Sequence, residues 1–362
     1  MSPTLVAALS DADRAIGRLA GEGRALPNPH WLIRPFVRRE AVLSSRIEGT
    51  QATLGELLSA EAGAVERSPD DLREVANYVV ALEYGIERLA ELPLSLRLVR
   101  ELHQHLMSDV RGGHAQPGEF RRVQNWVGPP GCRIEDATFV PPPPHELPRW
   151  LDEWETFLHD RSLPPLVLIA LAHHRFESIH PFLDGNGRVG RLLITLLLVE
   201  RDDHPSPLLY LSAVFEATRS EYYARLQAVR SDGPVAAQAG WHDWITYFLR
   251  GVARQSEDAV SRAERINRLL AEWRTRTSGA RARAVPAMVD LLAENPYWTV
   301  KHAAARLDVA FTTAARAIDR LVETGIMERV GDARRDRLFC ATEILAVLEE
   351  PAVLGRESDL GV

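Results

Sequence analysis

Apolar side chains recur every three to four residues over most of the chain, and turn-forming stretches are sparse. This spacing is typical of amphipathic helices, so it predicts a mainly α protein. The predicted helices cover residues 36–47, 70–92, 94–108 and 145–159, and a further helical block runs from 163 to about 254. Gly49 stands where a C-terminal cap is expected after the first of these helices. Residues 28–35, which contain two prolines, are predicted to form a loop.

Residues 112–144 form the one long stretch without helical spacing. Thr138, Phe139 and Val140 precede four consecutive prolines in it, which predicts a β-hairpin or extended flap with a stiffened exit. A loop of this length inside a helical domain usually has a function.

Three short helices and two short strands are predicted near the end of the chain, at residues 286–294, 300–307, 313–323, 326–330 and 337–341. Thr299 and Thr312 are the expected N-caps, and Gly325 is expected just after the third helix. Three helices and a hairpin resemble a winged helix-turn-helix.

The charge of this C-terminal unit does not decide its partner. Residues 299–341 carry eight lysines and arginines against six acidic residues, a small excess for a phosphate-binding surface. Arg316 and Arg320 lie on the candidate recognition helix, where such folds contact DNA. Winged helices also dock proteins, so DNA and a protein partner both remain open.

Length, charge and the content of cysteine and lysine exclude several classes of protein. The 362 residues suffice for two or three domains, and the net charge of −7 argues against a general polyanion binder.

The start of the chain has no signal-peptide pattern and the apolar runs are short, so we expect a cytoplasmic protein without a membrane span. Two distant cysteines exclude a disulfide framework. The only lysine, Lys301, lacks the glycines of a Walker-type phosphate loop.

Candidate chemistry is concentrated in residues 180–191, which read HPFLDGNGRVGR between two apolar helices. Gly185 and Gly187 let backbone N–H groups point inward at the start of a helix, where the helix dipole also favours an anion. Arg188 and Arg191 lie three residues apart and therefore share a helix face. Two guanidinium groups at a helix N-terminus oppose the dipole, and a polyphosphate would compensate them.

Two further side chains complete the set. Asp184 supplies a hard oxygen ligand suited to Mg²⁺ bound to phosphates. His180, whose ordinary pKa is about 6.5, is the natural proton acceptor at the edge of this anion site. The histidine pairs at 103–105 and 173–174 lack the cysteine or carboxylate partners of a transition-metal site, so they are interpreted as structural.

The twelve residues resemble the signature of the Fic family, H-P-F-x-D-G-N-G-R-x-x-R, at every fixed position. The resemblance implies a helical catalytic core that transfers AMP from Mg-ATP to a Ser, Thr or Tyr hydroxyl of a protein, its own chain included. It makes His180 the base and Asp184 the Mg²⁺ ligand. The implied phosphate-binding residues are Gly185, Asn186, Gly187, Arg188, Gly190 and Arg191.

The resemblance extends to residues 44–49, which read SSRIEG and match the inhibitory pattern [S/T]-x-x-x-E-[G/N]. It implies that Glu48, with Ser44 and Gly49 in the same motif, pairs with Arg191. A carboxylate bound to the guanidinium meant for the γ-phosphate would weaken or misalign ATP. A bidentate pair would change productive binding by roughly 10²-fold.

The Fic resemblance also implies roles outside the motifs. The flap would dock the target by strand addition along Thr138, Phe139 and Val140. Tyr222 is the residue chosen for the adenine side, and Arg230 stands where some relatives have an asparagine. A homodimer is a family-level expectation.

These patterns divide the chain into five predicted segments. They are an N-terminal helical region at 1–110 with the inhibitory helix at about 36–49, a Fic core at 111–253 with a flap at about 126–144, a connecting helix or linker at 254–284, a winged helix-turn-helix at 285–350 and a tail at 351–362. Two other functions stay open: removal of AMP from a modified protein at the same site, and a DNA-binding regulator that senses nucleotide.

Overall fold

The computed structural model describes residues 2–25, 30–63, 70–110, 116–129, 131–201, 208–230, 234–278, 283–332 and 336–352. Its helices are α1 (Pro3–Ala25), α2 (His30–Ile47), α3 (Leu54–Glu61), α4 (Asp70–Arg88), α5 (Leu96–Leu106), α6 (Leu147–Leu158), α7 (Pro165–Ile179), α8 (Asn186–Arg201), α9 (Ser212–Ala217), α10 (Arg219–Val229), α11 (Pro234–Arg276), α12 (Ala284–Leu291), α13 (Val300–Leu307), α14 (Phe311–Glu323) and α15 (Thr342–Glu349). Its strands are β1 (Tyr297–Thr299), β2 (Glu328–Val330) and β3 (Leu338–Cys340). The mainly α prediction is confirmed.

Helix α2, which contains most of the predicted inhibitory segment, begins earlier than predicted. The predicted loop over residues 28–35 is wrong from His30 onward, because the helix runs through Pro35. A proline inside a helix removes one backbone hydrogen bond, a cost that tertiary packing can offset. Phe36 and Val37, which follow it, are both buried in the core. Gly49 has a φ of 102° just after the helix, as a C-terminal cap requires.

Helices α7 and α8 pack against each other in the core, and about two thirds of their buried residues are apolar. The buried polar residues are His173, His174, Glu177, Asn186, Arg188, Arg191 and Thr195. Two tryptophans from neighbouring helices fix α7 through its backbone. The indole N–H groups of Trp154 in α6 and Trp244 in α11 donate to the carbonyl oxygens of Ala172 and Ala170, each over 2.9 Å. The short segment between α7 and α8, which carries the motif, is therefore held between two rigid elements.

One helix of 43 residues, α11, joins the core to the C-terminal unit. The predicted boundary at 253/254 lies inside this helix and coincides with no element end. Helix α1 packs along α11 through small and apolar side chains at helical spacing: Leu5, Ala8, Ala12, Ala15 and Leu19. Small residues on such a face allow two helices to approach closely.

The predicted flap contains very little regular structure. Its two arms meet in a single antiparallel bridge, in which Val127 and Phe139 exchange backbone hydrogen bonds of 2.9 and 3.1 Å. A short 3-10 turn, Ile134–Asp136, lies between the arms. The hairpin is thus reduced to one residue pair, since the prolines that follow cannot extend a ladder.

The C-terminal unit has the helices and the hairpin that the sequence predicts. Its strands form an antiparallel sheet in the order β1-β3-β2. Thr299 caps α13 by accepting from the His302 N–H, but Thr312 is not a cap, because α14 already begins at Phe311 after Ala310. Gly325, with a φ of 67°, follows α14 as expected. Helix α15 has no counterpart in the prediction.

This unit packs directly on the inhibitory helix and on α3. Buried Asn295 donates its amide to the Leu58 carbonyl over 2.9 Å, and the Thr299 hydroxyl donates to the Ala62 carbonyl over 3.2 Å. Arg34 at the start of α2 pairs with Glu294 at 3.1 Å. Within the described ranges, no helix combines the length and the apolar character needed to cross a membrane.

The close approach of α10 and α11 generates a stability prediction. A Cβ on Gly240 would lie 2.7 Å from the Ala228 carbonyl oxygen, whereas a Cβ on Gly251 in the same helix would meet its nearest neighbour at 3.5 Å. Backbone atoms cannot move aside cheaply, so Gly240→Ala should lower the free energy of unfolding by about 1–3 kcal/mol. The matched change Gly251→Ala should raise it by about 0.5–1 kcal/mol, because alanine is the better helix former. Denaturant unfolding measures both; equal effects of the two variants would contradict this packing.

Candidate functional site

The motif forms a tight loop between the end of α7 and the start of α8. His180 ends α7 in the left-handed region, with a φ of 48°, and Gly185 has a φ of 77°. The Asn186 side chain ties the loop together, because it accepts from the Phe182 N–H over 2.8 Å and donates to the Phe182 carbonyl over 2.9 Å. Asn186 is only 2% exposed, and both its amide oxygen and its amide nitrogen are hydrogen-bonded, so it stabilises the loop conformation from within the core.

Two residues at the base of the flap support His180 from outside. Arg121 donates from Nε to the His180 carbonyl over 2.9 Å, and Asn125 donates to the same oxygen over 3.1 Å and to the Phe182 carbonyl over 2.8 Å. Sequence reasoning missed both residues. They lie more than fifty positions before the motif, and no spacing rule connects them to it.

The environment of the His180 ring favours its neutral form. Burial, and after it the positive charge of Arg230, lowers its pKa from about 6.5 to about 4, although Glu48 acts in the opposite direction. The ring is therefore neutral at pH 7 and keeps a lone pair available for a proton.

Arg191 lies at the centre of the contact that is predicted to be inhibitory. Its Nη2 donates to Glu48 Oε1 over 2.6 Å, and its Nε donates to the Ser44 hydroxyl over 2.9 Å. The arginine side chain is only 1% exposed, while Glu48 keeps 36% of its side chain exposed. Burial disfavours the charged form of Glu48, but the charges of Arg191 and Arg188 outweigh it and lower the Glu48 pKa. The structure thus brings together Ser44, Glu48 and Arg191, which are predicted to interact.

The pairing is not bidentate, contrary to expectation. Only Oε1 of Glu48 contacts the guanidinium, because Ser44 occupies Nε with its hydroxyl and shares Nη2 through its carbonyl, 2.9 Å away. The same carboxylate oxygen lies against Gly187, where an added Cβ would be 2.2 Å from it. Glu48 therefore fills the space in front of the backbone at the start of α8.

Arg188 is paired with a carboxylate that sequence reasoning missed. Its Nη1 donates to Glu74 of α4 over 3.0 Å, and its Nη2 lies 3.8 Å from Asp184 Oδ1. Both motif arginines thus have acidic partners from the N-terminal region. Glu74 follows no motif, and only the packing of α4 beside α8 brings it near Arg188.

Asp184 fits the predicted Mg²⁺ site. Its side chain is 54% exposed, and Oδ1 accepts from the Gly185 N–H over 2.6 Å, which orients the carboxylate. An oriented, solvent-accessible carboxylate at the start of the predicted phosphate-binding segment suits a cation that bridges phosphates. No group of three or more His, Cys, Asp or Glu in the described ranges is arranged around a common metal position.

Tyr222 lies in the core, 1% exposed, with its hydroxyl 2.8 Å from His173 Nε2 and its ring stacked on Phe215. This position does not fit an adenine contact. The next residue, Tyr223, is 41% exposed and is the tyrosine that a ligand could reach. Arg230 stacks on the Phe139 ring, 3.7 Å from its centroid, and so ties the flap to α10.

The candidate docking edge of the flap is partly accessible. Because Phe139 exchanges hydrogen bonds with Val127, the backbone groups of Thr138 and Val140 face the opposite edge. The Thr138 carbonyl accepts from Gln227 over 3.3 Å, and Val140 is 45% exposed.

The His180 environment yields a prediction. NMR titration of the ring should give a pKa near 4 in the wild type, since burial and Arg230 disfavour the imidazolium. Arg230→Gln should raise this pKa toward 6.5, and Glu48→Gln should lower it further, because it removes a negative charge. His180→Ala identifies the resonance. A wild-type pKa near 6.5 that neither substitution moves would show that the ring is solvated instead.

Comparison with known proteins agrees with this geometry. The model of the Fic/DOC family N-terminal region matches residues 6–87, and that of the Fic/DOC family matches residues 93–198. The "Protein adenylyltransferase Fic" of Drosophila grimshawi is 33% identical over 187 residues, which are 49% of this chain and 35% of that protein. The protein of the same name from Drosophila virilis is also 33% identical, over 34% of its length. The chain thus matches about a third of the length of these curated relatives.

Solved structures show the same fold. A Fic family protein from Desulfovibrio desulfuricans G20 matches with a TM-score of 0.61 at 21% identity, over 94% of this chain and 96% of the other. A Fic-1 fragment from C. elegans matches with a TM-score of 0.54 at 25% identity, over 72% of this chain and 73% of the other. The two family models together cover about half of the chain, and the motif matches at every fixed position. The chain belongs to the Fic/DOC family.

Proposed function

We propose that this protein is an adenylyltransferase that transfers AMP from ATP to a Ser, Thr or Tyr hydroxyl of a protein and is inhibited by its own Glu48. The observation that carries the proposal is the position of Glu48. Its carboxylate binds Arg191 and fills the space beside Gly187, next to a neutral His180. The names of the Drosophila relatives support the reaction class.

In this proposal each residue of the motif has a distinct task. His180 accepts the proton of the target hydroxyl, whose oxygen attacks the α-phosphorus while the bond to the β-phosphate breaks and pyrophosphate leaves. The backbone at Gly185 and Gly187, together with Arg188 and Arg191, binds and stabilises the phosphate charge. Gly190, also predicted to bind phosphate, instead packs against Glu177, His173 and Phe176 of α7, and its carbonyl oxygen accepts a hydrogen bond from His173. Catalysis then rests mainly on positioning, because the reacting groups need only be held in line.

Mg²⁺ is the cofactor that we propose for this site, with Asp184 as its protein ligand. When bound, the ion neutralises phosphate charge and orients the polyphosphate. Asn186 holds the loop that carries Asp184, because its side chain bonds both backbone groups of Phe182. Tyr223, rather than Tyr222, is the proposed aromatic contact for the nucleotide, since it is the exposed member of the pair.

Inhibition follows from competition for one guanidinium. The γ-phosphate of ATP and the Glu48 carboxylate cannot both occupy Nη2 of Arg191. A charge-assisted hydrogen bond contributes about 1.5–3 kcal/mol, so its loss should change productive ATP binding by roughly 10- to 100-fold. Because Glu48 accepts only one hydrogen bond from Arg191, we expect the change in ATP affinity to lie within this range and not above it.

Two surfaces outside the motif are proposed to bind partners. The edge of the flap at Thr138 and Val140 is the proposed docking site for an extended target segment. The C-terminal unit, proposed as a winged helix, exposes Phe311 and Val330 and would bind DNA or a protein. A homodimer and a cytoplasmic location stay predictions from the sequence.

Intact-mass spectrometry after incubation with Mg-ATP tests the proposal. Glu48→Gly should gain the mass of AMP on its own chain, because Arg191 becomes free for phosphate, while the wild type gains little. The double variant Glu48→Gly/His180→Ala should gain none, because it lacks the base. Glu91→Gly is the matched control: it removes another carboxylate that follows a helix and pairs with an arginine, Arg88, but it lies outside α2 and the motif and should behave as the wild type.

The same variants separate the alternatives. No mass gain in Glu48→Gly, despite measurable ATP binding, would contradict self-modification. Removal of AMP from a modified protein, abolished by Glu48→Gly, would instead indicate a hydrolase in which Glu48 orients water. A DNA complex that responds to ATP and survives His180→Ala would support the nucleotide-sensing regulator.

A further inference from the structure

His103 of α5 contacts the motif loop at three points, although no role in the reaction has been given to it so far. Its Nε2 lies 3.1 Å from the Asp184 carbonyl oxygen. Its ring stacks on Phe182, with 3.7 Å between centroids and 2° between planes. A Cβ added at Gly185 would lie 3.5 Å from the same ring. The histidine is completely buried.

We propose that His103 is a positioning residue that fixes Asp184 through a hydrogen bond from its Nε2–H group. The inference rests on the proposed function, since it concerns the residue proposed to hold Mg²⁺. Neither motif contains His103, which lies 81 positions before Asp184.

The neighbours of the ring determine where its proton lies. The Gly118 N–H donates to Nδ1 over 2.9 Å, so Nδ1 acts as the acceptor and carries no hydrogen. A neutral imidazole has one N–H group, which must then be on Nε2. The Nε2–H group faces the Asp184 carbonyl oxygen, which can only accept a hydrogen bond. His103 therefore accepts a hydrogen bond from Gly118 at Nδ1 and donates one to Asp184 from Nε2.

This hydrogen bond reaches the carboxylate through the backbone. His103 holds the carbonyl of Asp184, and the Gly185 N–H of the same peptide unit donates to Asp184 Oδ1 over 2.6 Å. Rotation of that peptide would move both groups together, because the peptide unit is planar. The flat ring beneath Phe182 prevents the loop from sinking toward α5. His103 therefore sets the direction in which the Asp184 carboxylate points.

Three substitutions in a Glu48→Gly background separate the hydrogen bonds from the packing. His103→Phe keeps a flat ring and loses both bonds. His103→Asn places an acceptor near the position of Nδ1 but cannot reach Asp184. His103→Gln can place a donor near the position of Nε2. His105→Phe is the control on the same helix, where the histidine ring lies 4.4 Å from that of Tyr84.

The readout is Mn²⁺ binding, followed by EPR, in the presence of α,β-methylene-ATP. His103→Phe and His103→Asn should weaken Mn²⁺ binding roughly 10-fold or more, as is usual when support of a metal ligand is lost. His103→Gln should stay within about threefold of the parent, and His105→Phe should equal it. Unfolding curves of all variants show whether each one is folded. Mn²⁺ binding by folded His103→Phe equal to that of the parent would overturn the proposal.

A second measurement needs neither metal nor nucleotide. The ¹⁵N chemical shifts of His103 in the wild-type protein should show a protonated Nε2 and an unprotonated Nδ1. The opposite tautomer would overturn the proposal even if the protein is an adenylyltransferase. If the Glu48→Gly parent binds no Mn²⁺ with the nucleotide, the proposed metal role of Asp184 is wrong. The His103 tautomer is measured independently of the metal, so it still tests the positioning role of His103.

Discussion

The contact between Arg191 and Glu48 is the interaction on which the rest of the site depends. A guanidinium that is 99% covered by protein requires an acidic partner, because an unpaired buried charge is strongly unfavourable. In this structure Glu48, which directly follows α2, is that partner, and Ser44 binds the remaining side of the group. A nucleotide phosphate would satisfy the same requirement. In the proposed function, Glu48 and the γ-phosphate would therefore each supply the negative charge that this buried guanidinium requires.

The position of Glu48 is in turn set by contacts far from the motif. Arg38 of α2 pairs with Glu61 at 3.0 Å and with Glu83 at 2.6 Å, and the hydroxyl of Ser212 in α9 donates to Glu40 over 2.6 Å. The C-terminal unit adds the ion pair of Arg34 with Glu294. Helix α2 is thus held from several sides, and Glu48 cannot leave Arg191 by moving the helix alone. Rotation of the Glu48 side chain, which is partly exposed, is the smaller motion.

Local patterns predicted the parts of this site that neighbouring residues determine. The motif and the cap at Gly49 follow from short stretches of sequence, whereas the pairing of Glu48 with Arg191 is implied by the Fic resemblance. Contacts across the fold could not be predicted, and Glu74, Arg121 and His103 reach the site only because helices and flap pack there. Tyr222 and Tyr223 are adjacent on a helix without an apolar stripe, so periodicity could not decide which one faces the core.

Calorimetric titration of nucleotides into the wild type and Glu48→Gly tests the central claim most directly. The account predicts that Glu48→Gly binds Mg-ATP roughly 10- to 100-fold more tightly, because Arg191 becomes available to the γ-phosphate. AMP, which lacks that phosphate, should bind both proteins equally. Equal ATP affinity in the two proteins, or an equal gain for AMP, would contradict the account, because Glu48 would then not compete for the γ-phosphate site.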